Sequence, residues 1–191
     1  MADILGAKAG YGWGGGGERR HGPTLALAVR AGKLVPSARI RQTRFMSTPE
    51  RLDAAEIQRR LTTEFPQSFG AGTLRIEAAG PMTARMRMAY QERALRPGGT
   101  VSGPAMFELA DCALYVAVLA TIGWVPLAVT SNITLNFLLK PAARDLIADC
   151  RLFRVGRTLA FGEVSLRSDG AEAVVAHATG TYAIPQRKAV L

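Results

Sequence analysis

Apolar positions fall into a regular pattern only from about residue 53 onward. Asp53 is placed to cap a helix of about ten residues, in which Ile57 and Leu61 share a face. Phe65-Pro66 ends that helix and Gly70-Ala71-Gly72 makes a loop. Residues 73–78 and 83–90 then read as two strands joined at Gly80-Pro81. In the second, Met82, Ala84, Met86 and Met88 lie on one face, and Thr83, Arg85 and Arg87 on the other. A methionine-rich face reads as core or, more sharply, as the wall of a pliable pocket. The stretch 96–104 is a glycine-rich loop leading into a helix: Ser102 or Gly103 serves as N-cap and Pro104 suits the first turn. Residues 105–122 are apolar nearly all round, which predicts a buried helix ended by Gly123. Four strand-like runs follow, at 127–138, 146–155, 158–167 and 173–184. Gly156-Arg157 and Asp169-Gly170 are hairpin turns, so the last three runs form an antiparallel meander. This order predicts an α+β domain in which a curved antiparallel β-sheet wraps one long apolar central helix. Such a sheet exposes an edge, so pairing with a second copy is expected.

Residues 1–45 change the picture of the charge. They carry +6 of the formal net charge of +9 and nine of the 20 glycines, including the run 14–17. They read as a disordered basic Gly/Arg-rich leader, or as sequence ahead of a true start at Met46, with the domain spanning 46–191. Arg-rich, acid-poor composition also occurs in organelle-targeting leaders. With only +3 left for the domain, a nucleic-acid role would rest on the leader alone. The run 14–17 is no phosphate loop, because no Gly-Lys-Ser/Thr follows it. The apolar stretch 112–129 approaches the length of a membrane span, but Gly123 and Pro126 break it and Asp111 abuts it. Cys112 and Cys150 read as buried small hydrophobes, and no cysteine or histidine spacing suggests a metal. The cytoplasm is the expected compartment.

Asp111 is the most informative residue, because a carboxylate within an apolar helix must be paired or face a cavity. Glu108, three positions earlier, is the rival carboxylate. Gly103, at the helix start, offers a backbone N–H that could hold an oxyanion, or it simply makes the turn into the helix. Eight residues separate Gly103 from Asp111, about 12 Å along a helix, so one carbonyl cannot touch both. If both act in one site they come from two protomers. Neither His21 nor His177 is placed for a Ser-His-Asp arrangement, and His177 reads as a packed or solvent-edge residue.

The stretch from Gly103 to Asp111, Gly-Pro-Ala-Met-Phe-Glu-Leu-Ala-Asp, resembles the central-helix signature of the PaaI-type hotdog acyl-CoA thioesterases. That signature is His-Gly-Gly, six variable residues often ending in Leu-Ala, then Asp. The segment Thr130-Ser131-Asn132-Ile133-Thr134-Leu135-Asn136-Phe137-Leu138 is similar to the family's next strand. Arg154-Val155-Gly156-Arg157-Thr158-Leu159-Ala160-Phe161 is similar to its second hairpin, and His177-Ala178-Thr179-Gly180-Thr181-Tyr182 to its closing strand. The resemblance covers about residues 70–185 and implies a hotdog fold. It implies a thioesterase acting on acyl-CoA as a homodimer that often pairs into a homotetramer, with no metal or redox cofactor. Asp111 would be the general base or nucleophile, Gly103 the oxyanion-hole donor from the partner, and Thr130 a residue that helps place water. Arg154, Gly156 and Arg157 would lie near the CoA phosphates, where guanidinium groups fit; a solvated turn is the plainer reading of these arginines. Three positions depart from the pattern: Ser102 stands in place of His, Arg96 about where the family often has Asn, and Pro104 in place of the second Gly. These departures motivate the alternative of a non-catalytic acyl-CoA-binding or regulatory hotdog protein. A hotdog dehydratase would need a site histidine, and the domain offers only His177.

Overall fold

The computed structural model describes residues 51–186; the leader and the proposed start at Met46 lie outside them. Helix α1 (Ala54–Glu64) begins as expected, with the Asp53 side chain accepting from the Glu56 N–H at 2.8 Å. Its Ile57 and Leu61 are buried, and the Arg60 guanidinium lies 5.2 Å from the centre of the Trp124 ring. A one-turn helix α2 (Pro66–Phe69) fills the interval between the end of α1 and the loop at Gly70-Ala71-Gly72, with Phe69 buried. Strands β1 (Leu74–Gly80) and β2 (Thr83–Met88) follow, their turn falling at Pro81-Met82, where Met82 takes a positive φ of 65°. Met82 therefore belongs to the turn, while Ala84, Met86 and Met88 form the buried face of β2. A short 3₁₀ turn and a hairpin of β3 (Leu95–Arg96) and β4 (Thr100–Val101) replace the expected loop. Gly98 and Gly99 hold positive φ at its tip.

Helix α3 (Gly103–Ile122) is long and apolar enough to cross a membrane, but it is the core of the domain. Strands β5 (Val129–Phe137), β6 (Leu146–Val155), β7 (Leu159–Ser168) and β8 (Val174–Ala183) join β1 and β2 in one antiparallel sheet, ordered β1-β2-β6-β7-β8-β5. Alternation gives the sheet an inner face of Met86, Ala148, Val164, Leu166, Ala176 and Ala178, packed with Leu109, Leu114 and Val116 of α3 in one core. Gly180 permits the close approach of helix to sheet: a Cβ there would lie 2.6 Å from Leu114 Cδ1 and 2.8 Å from Ile133 Cγ1.

The two edges of this sheet differ. On β1, the Gln58 side chain of α1 accepts from the Ile76 N–H at 2.8 Å and donates to the Leu74 carbonyl at 3.3 Å, so the helix covers the edge. Strand β5 pairs only with β8 among the described residues. Its surroundings expose large apolar side chains, with Leu127 at 74%, Val129 at 58% and Phe137 at 57%.

The outer face carries ion pairs around β1, β2 and β6, and exposed Phe153, Leu159 and Phe161 toward the β6–β7 turn. Arg87 joins Glu77, Asp145 and Asp169, and Arg85 joins Glu77 and Asp149. Hydrogen bonds from Arg87 hold the Glu77 and Asp169 carboxyls below their ordinary pKa values. A carboxylate depressed in the folded state contributes stability above its unfolded pKa, and loses it as pH falls through the folded value. The loss therefore starts as pH drops below the usual 4.5 of Glu77 and 3.8 of Asp169. Arg87→Met is expected to lower the urea midpoint at neutral pH and to flatten its acid limb. The two proteins' midpoints should converge between about pH 5 and pH 2.

Candidate active site

Asp111 sits two turns into α3, on the side facing β5 and β8. Thr130 of β5 and Tyr182 of β8 are cross-strand partners, so their side chains emerge side by side. Alternation alone would aim Thr130 outward: Ile133, Leu135 and Phe137 are the inner residues of β5, an odd number of positions away. A bulge between Thr130 and Asn132 absorbs Ser131 and turns Thr130 inward, while the Ser131 hydroxyl bonds to the Thr181 carbonyl at 3.1 Å.

The two hydroxyls then meet one carboxylate oxygen. Thr130 Oγ1 donates to Asp111 Oδ1 at 2.6 Å, and the Tyr182 phenol lies 2.7 Å from the same oxygen and 3.0 Å from the Asp111 carbonyl. Asp111 Oδ2 accepts no hydrogen bond from any described residue. Tyr182 is only 4% exposed and stacks on Tyr115, with ring centres 5.9 Å apart. Tyr115, one turn after Asp111, donates to the Pro126 carbonyl at 3.0 Å, and burial pushes its phenol up to about 12. Burial, with the Asp111 charge behind it, pushes the Tyr182 phenol higher still, so both remain protonated donors.

Gly103 opens α3, where first-turn N–H groups have no intrahelical acceptor. Ser102 is the N-cap by position, but its side chain makes no capping bond; its backbone N–H goes to the Ala94 carbonyl at 2.8 Å. An open groove of about 560 Å³ lies at this helix end, lined by Gly103, Pro104, Phe107, Glu108 and Phe137. Glu108, the rival carboxylate, is exposed in this groove and takes part in neither hydroxyl contact. Arg96 donates through Nε to Thr100 Oγ1 at 2.9 Å within the β3–β4 hairpin.

Arg154 and Gly156 line a second groove of about 320 Å³ with Thr158, Leu159, Phe161 and Thr181. Leu159 and Phe161 flank the buried Ala160, so this groove opens on the outer face of the sheet, opposite Asp111. Arg157 is exposed in the adjoining turn, where the Gly156 N–H donates to the Leu159 carbonyl at 2.7 Å. The fold thus gathers Asp111 with Thr130, sets Gly103 and Ser102 at the helix end, and leaves the hairpin arginines on the far face. His177 also lies on that outer face, with Nε2 3.1 Å from Glu163 Oε2. Both cysteines are buried, and burial drives the Cys112 thiol strongly upward and Cys150 up to about 12, which removes thiolate chemistry at neutral pH.

A family model described as the thioesterase superfamily matches residues 98–175. A protein of Silicibacter sp. TM1040, assigned as a thioesterase, is 48% identical; the match covers 70% of this chain and 92% of that one, with a TM-score of 0.64. The chain belongs to the thioesterase superfamily. The PaaI protein of the E. coli phenylacetic acid degradation operon is 21% identical over 68% of this chain and 97% of its own, with a TM-score of 0.57. Zebra fish thioesterase superfamily member 2 is 18% identical over 70% and 99%, with a TM-score of 0.62. At these identities the likeness shows the fold, which is the hotdog expected from the PaaI resemblance. No curated protein matches the chain significantly.

The superfamily match spans Gly103, Asp111 and Thr130 and stops short of Tyr182. Tyr182 is the site residue that reading the sequence missed. Its alternation along β8 marks it as inward-facing, but only the β5–β8 register sets it beside Thr130.

Proposed function

We propose that this protein is a hydrolase of acyl-CoA thioesters, working in the cytoplasm without metal or redox cofactor. The observation that supports the reading is the Asp111 carboxylate, gripped at Oδ1 by two hydroxyls with Oδ2 left for water. Asp111 Oδ2 takes a proton from water, and the resulting hydroxide attacks the thioester carbonyl carbon. The oxyanion that forms is held by the Gly103 N–H at the positive end of α3. The C–S bond then breaks, the acid is released, and the CoA thiolate recovers the proton from Asp111.

Because α3 is continuous from Gly103 to Ile122, the two groups of one chain stay about 12 Å apart. The site is therefore composed from two protomers. The edge of β5, which no described residue pairs, and its exposed apolar flank suit pairing with the same strand of a second copy. The apolar groove beside Gly103 suits an alkyl or aryl acyl group, and Arg154 and Arg157 suit CoA phosphates supplied across the assembly.

A free-thiol reagent reports CoA release from the full-length chain incubated with short, medium, long and aromatic acyl-CoAs. Turnover of one class establishes the reaction and begins to name the acyl group. Tight binding of CoA esters with no turnover of any would sink hydrolysis. It would favour the binding protein that Ser102, standing where the superfamily's PaaI members carry His, suggests.

A further inference from the structure

We propose that Tyr182 is a positioning residue that clamps Asp111 through Oδ1 and so assigns proton abstraction to Oδ2. This rests on the reading of Asp111 as the base. The phenol has one proton and two acceptors in reach, the carboxylate oxygen at 2.7 Å and the Asp111 carbonyl at 3.0 Å. The shorter approach and the negative charge favour the carboxylate.

Of the two donors on Oδ1, Tyr182 is the rigid one. Thr130 is exposed and sits on the open edge strand, beside a bulge. Tyr182 is buried, and β8 runs between β7 and β5. Its ring is stacked on Tyr115, which is itself tied to the Pro126 carbonyl. An aspartate held by neither oxygen turns about its terminal torsion with little resistance, because that torsion is broad. Two donors on one oxygen fix the turn and draw negative charge toward Oδ1. The second oxygen then points in a fixed direction while remaining available to water.

Burial keeps the phenol protonated, so the clamp does not release through its own ionisation in the working range. Among the described residues, Cys112 on α3 and Tyr182 on β8 feel the Asp111 charge, Glu108 acts on the same Cys112 thiol, and β5 contributes the neutral Thr130 hydroxyl.

Tyr182→Phe tests the clamp, since phenylalanine keeps the ring and its stack and deletes only the hydroxyl. Two readouts are needed: kcat and KM on the best thioester, and ¹³C NMR relaxation of the Asp111 carboxyl carbon in the full-length protein. The expected result is a kcat lower by about tenfold, with KM within about twofold. The carboxyl should become more mobile, because its terminal torsion has lost its rigid donor. A merely structural role would lower the melting temperature without splitting kcat from KM or loosening the carboxyl. Equal carboxyl mobility in both proteins would overturn the proposal. The relaxation measurement needs no turnover, so it decides the clamp even if the hydrolase reading fails, and failure of that reading shows separately as no turnover by the wild type.

Discussion

Asp111→Ala is expected to lower kcat/KM by roughly a thousandfold, close to 4 kcal/mol of transition-state stabilisation, while leaving a folded oligomer. The loss is large because, in the proposed reaction, the base both generates the nucleophile and returns the proton to the leaving thiolate. The fold survives because the substitution strands little. The Tyr182 phenol lies 3.0 Å from the carbonyl of residue 111, which any side chain leaves in place. Thr130 is exposed and finds water. Alanine also suits the middle of a helix. Steady-state kinetics alongside size-exclusion chromatography and a thermal melt check both halves. Activity within about tenfold of wild type, a barrier change near 1.4 kcal/mol, would remove Asp111 from the role of base.

Mixing two dead proteins is expected to restore activity. Gly103→Pro deletes the N–H assigned to the oxyanion, and proline's fixed φ is at home in the first helical turn. An oxyanion donor is worth about a hundredfold or more in kcat. Each variant alone should therefore be nearly inactive. In a mixed dimer of Gly103→Pro with Asp111→Ala, one site receives Asp111 from the first chain and Gly103 from the second, both native. The other site receives both defects. Random reassociation from denaturant makes half the dimers mixed, so about a quarter of wild-type activity should return. A site built within a single chain would return none, whatever the mixing ratio. The assay thus separates the two-protomer site from the identity of its residues.

Much of the fold was legible from the chain. The all-round apolar character of 105–122 forces a buried helix, and the strand-like runs at 83–90, 146–155, 158–167 and 173–184 fall within two residues of β2, β6, β7 and β8. The Asp53 cap, the meander and the burial of both cysteines follow from local rules that the structure obeys. Local pattern was weaker where burial of one side chain decided the outcome. Phe69 anchors a helical turn in the interval 66–69, to which local pattern assigned no element, and Leu95 and Val101 turn the glycine-rich approach to α3 into a hairpin.

The site divides along the same line. A carboxylate at position 111 in an apolar helix stands out in the sequence because the cost of burying an unpaired charge makes it conspicuous. Its separation from Gly103 follows from the rise of a helix, which is fixed whatever the surroundings. Tyr182 could not be read off, since tyrosines on buried strand faces are common and nothing local joins residue 182 to residue 111. That contact depends on strand register, on the bulge that reverses Thr130, and on Gly180, whose missing side chain lets α3 close on the sheet. The sequence by itself determined the helix, the strands and the charge that had to be accommodated, because each arises from neighbours within a few residues. The tertiary structure alone decided which hydroxyls accommodate it and which carboxylate oxygen they leave open, because those contacts join residues far apart in the chain.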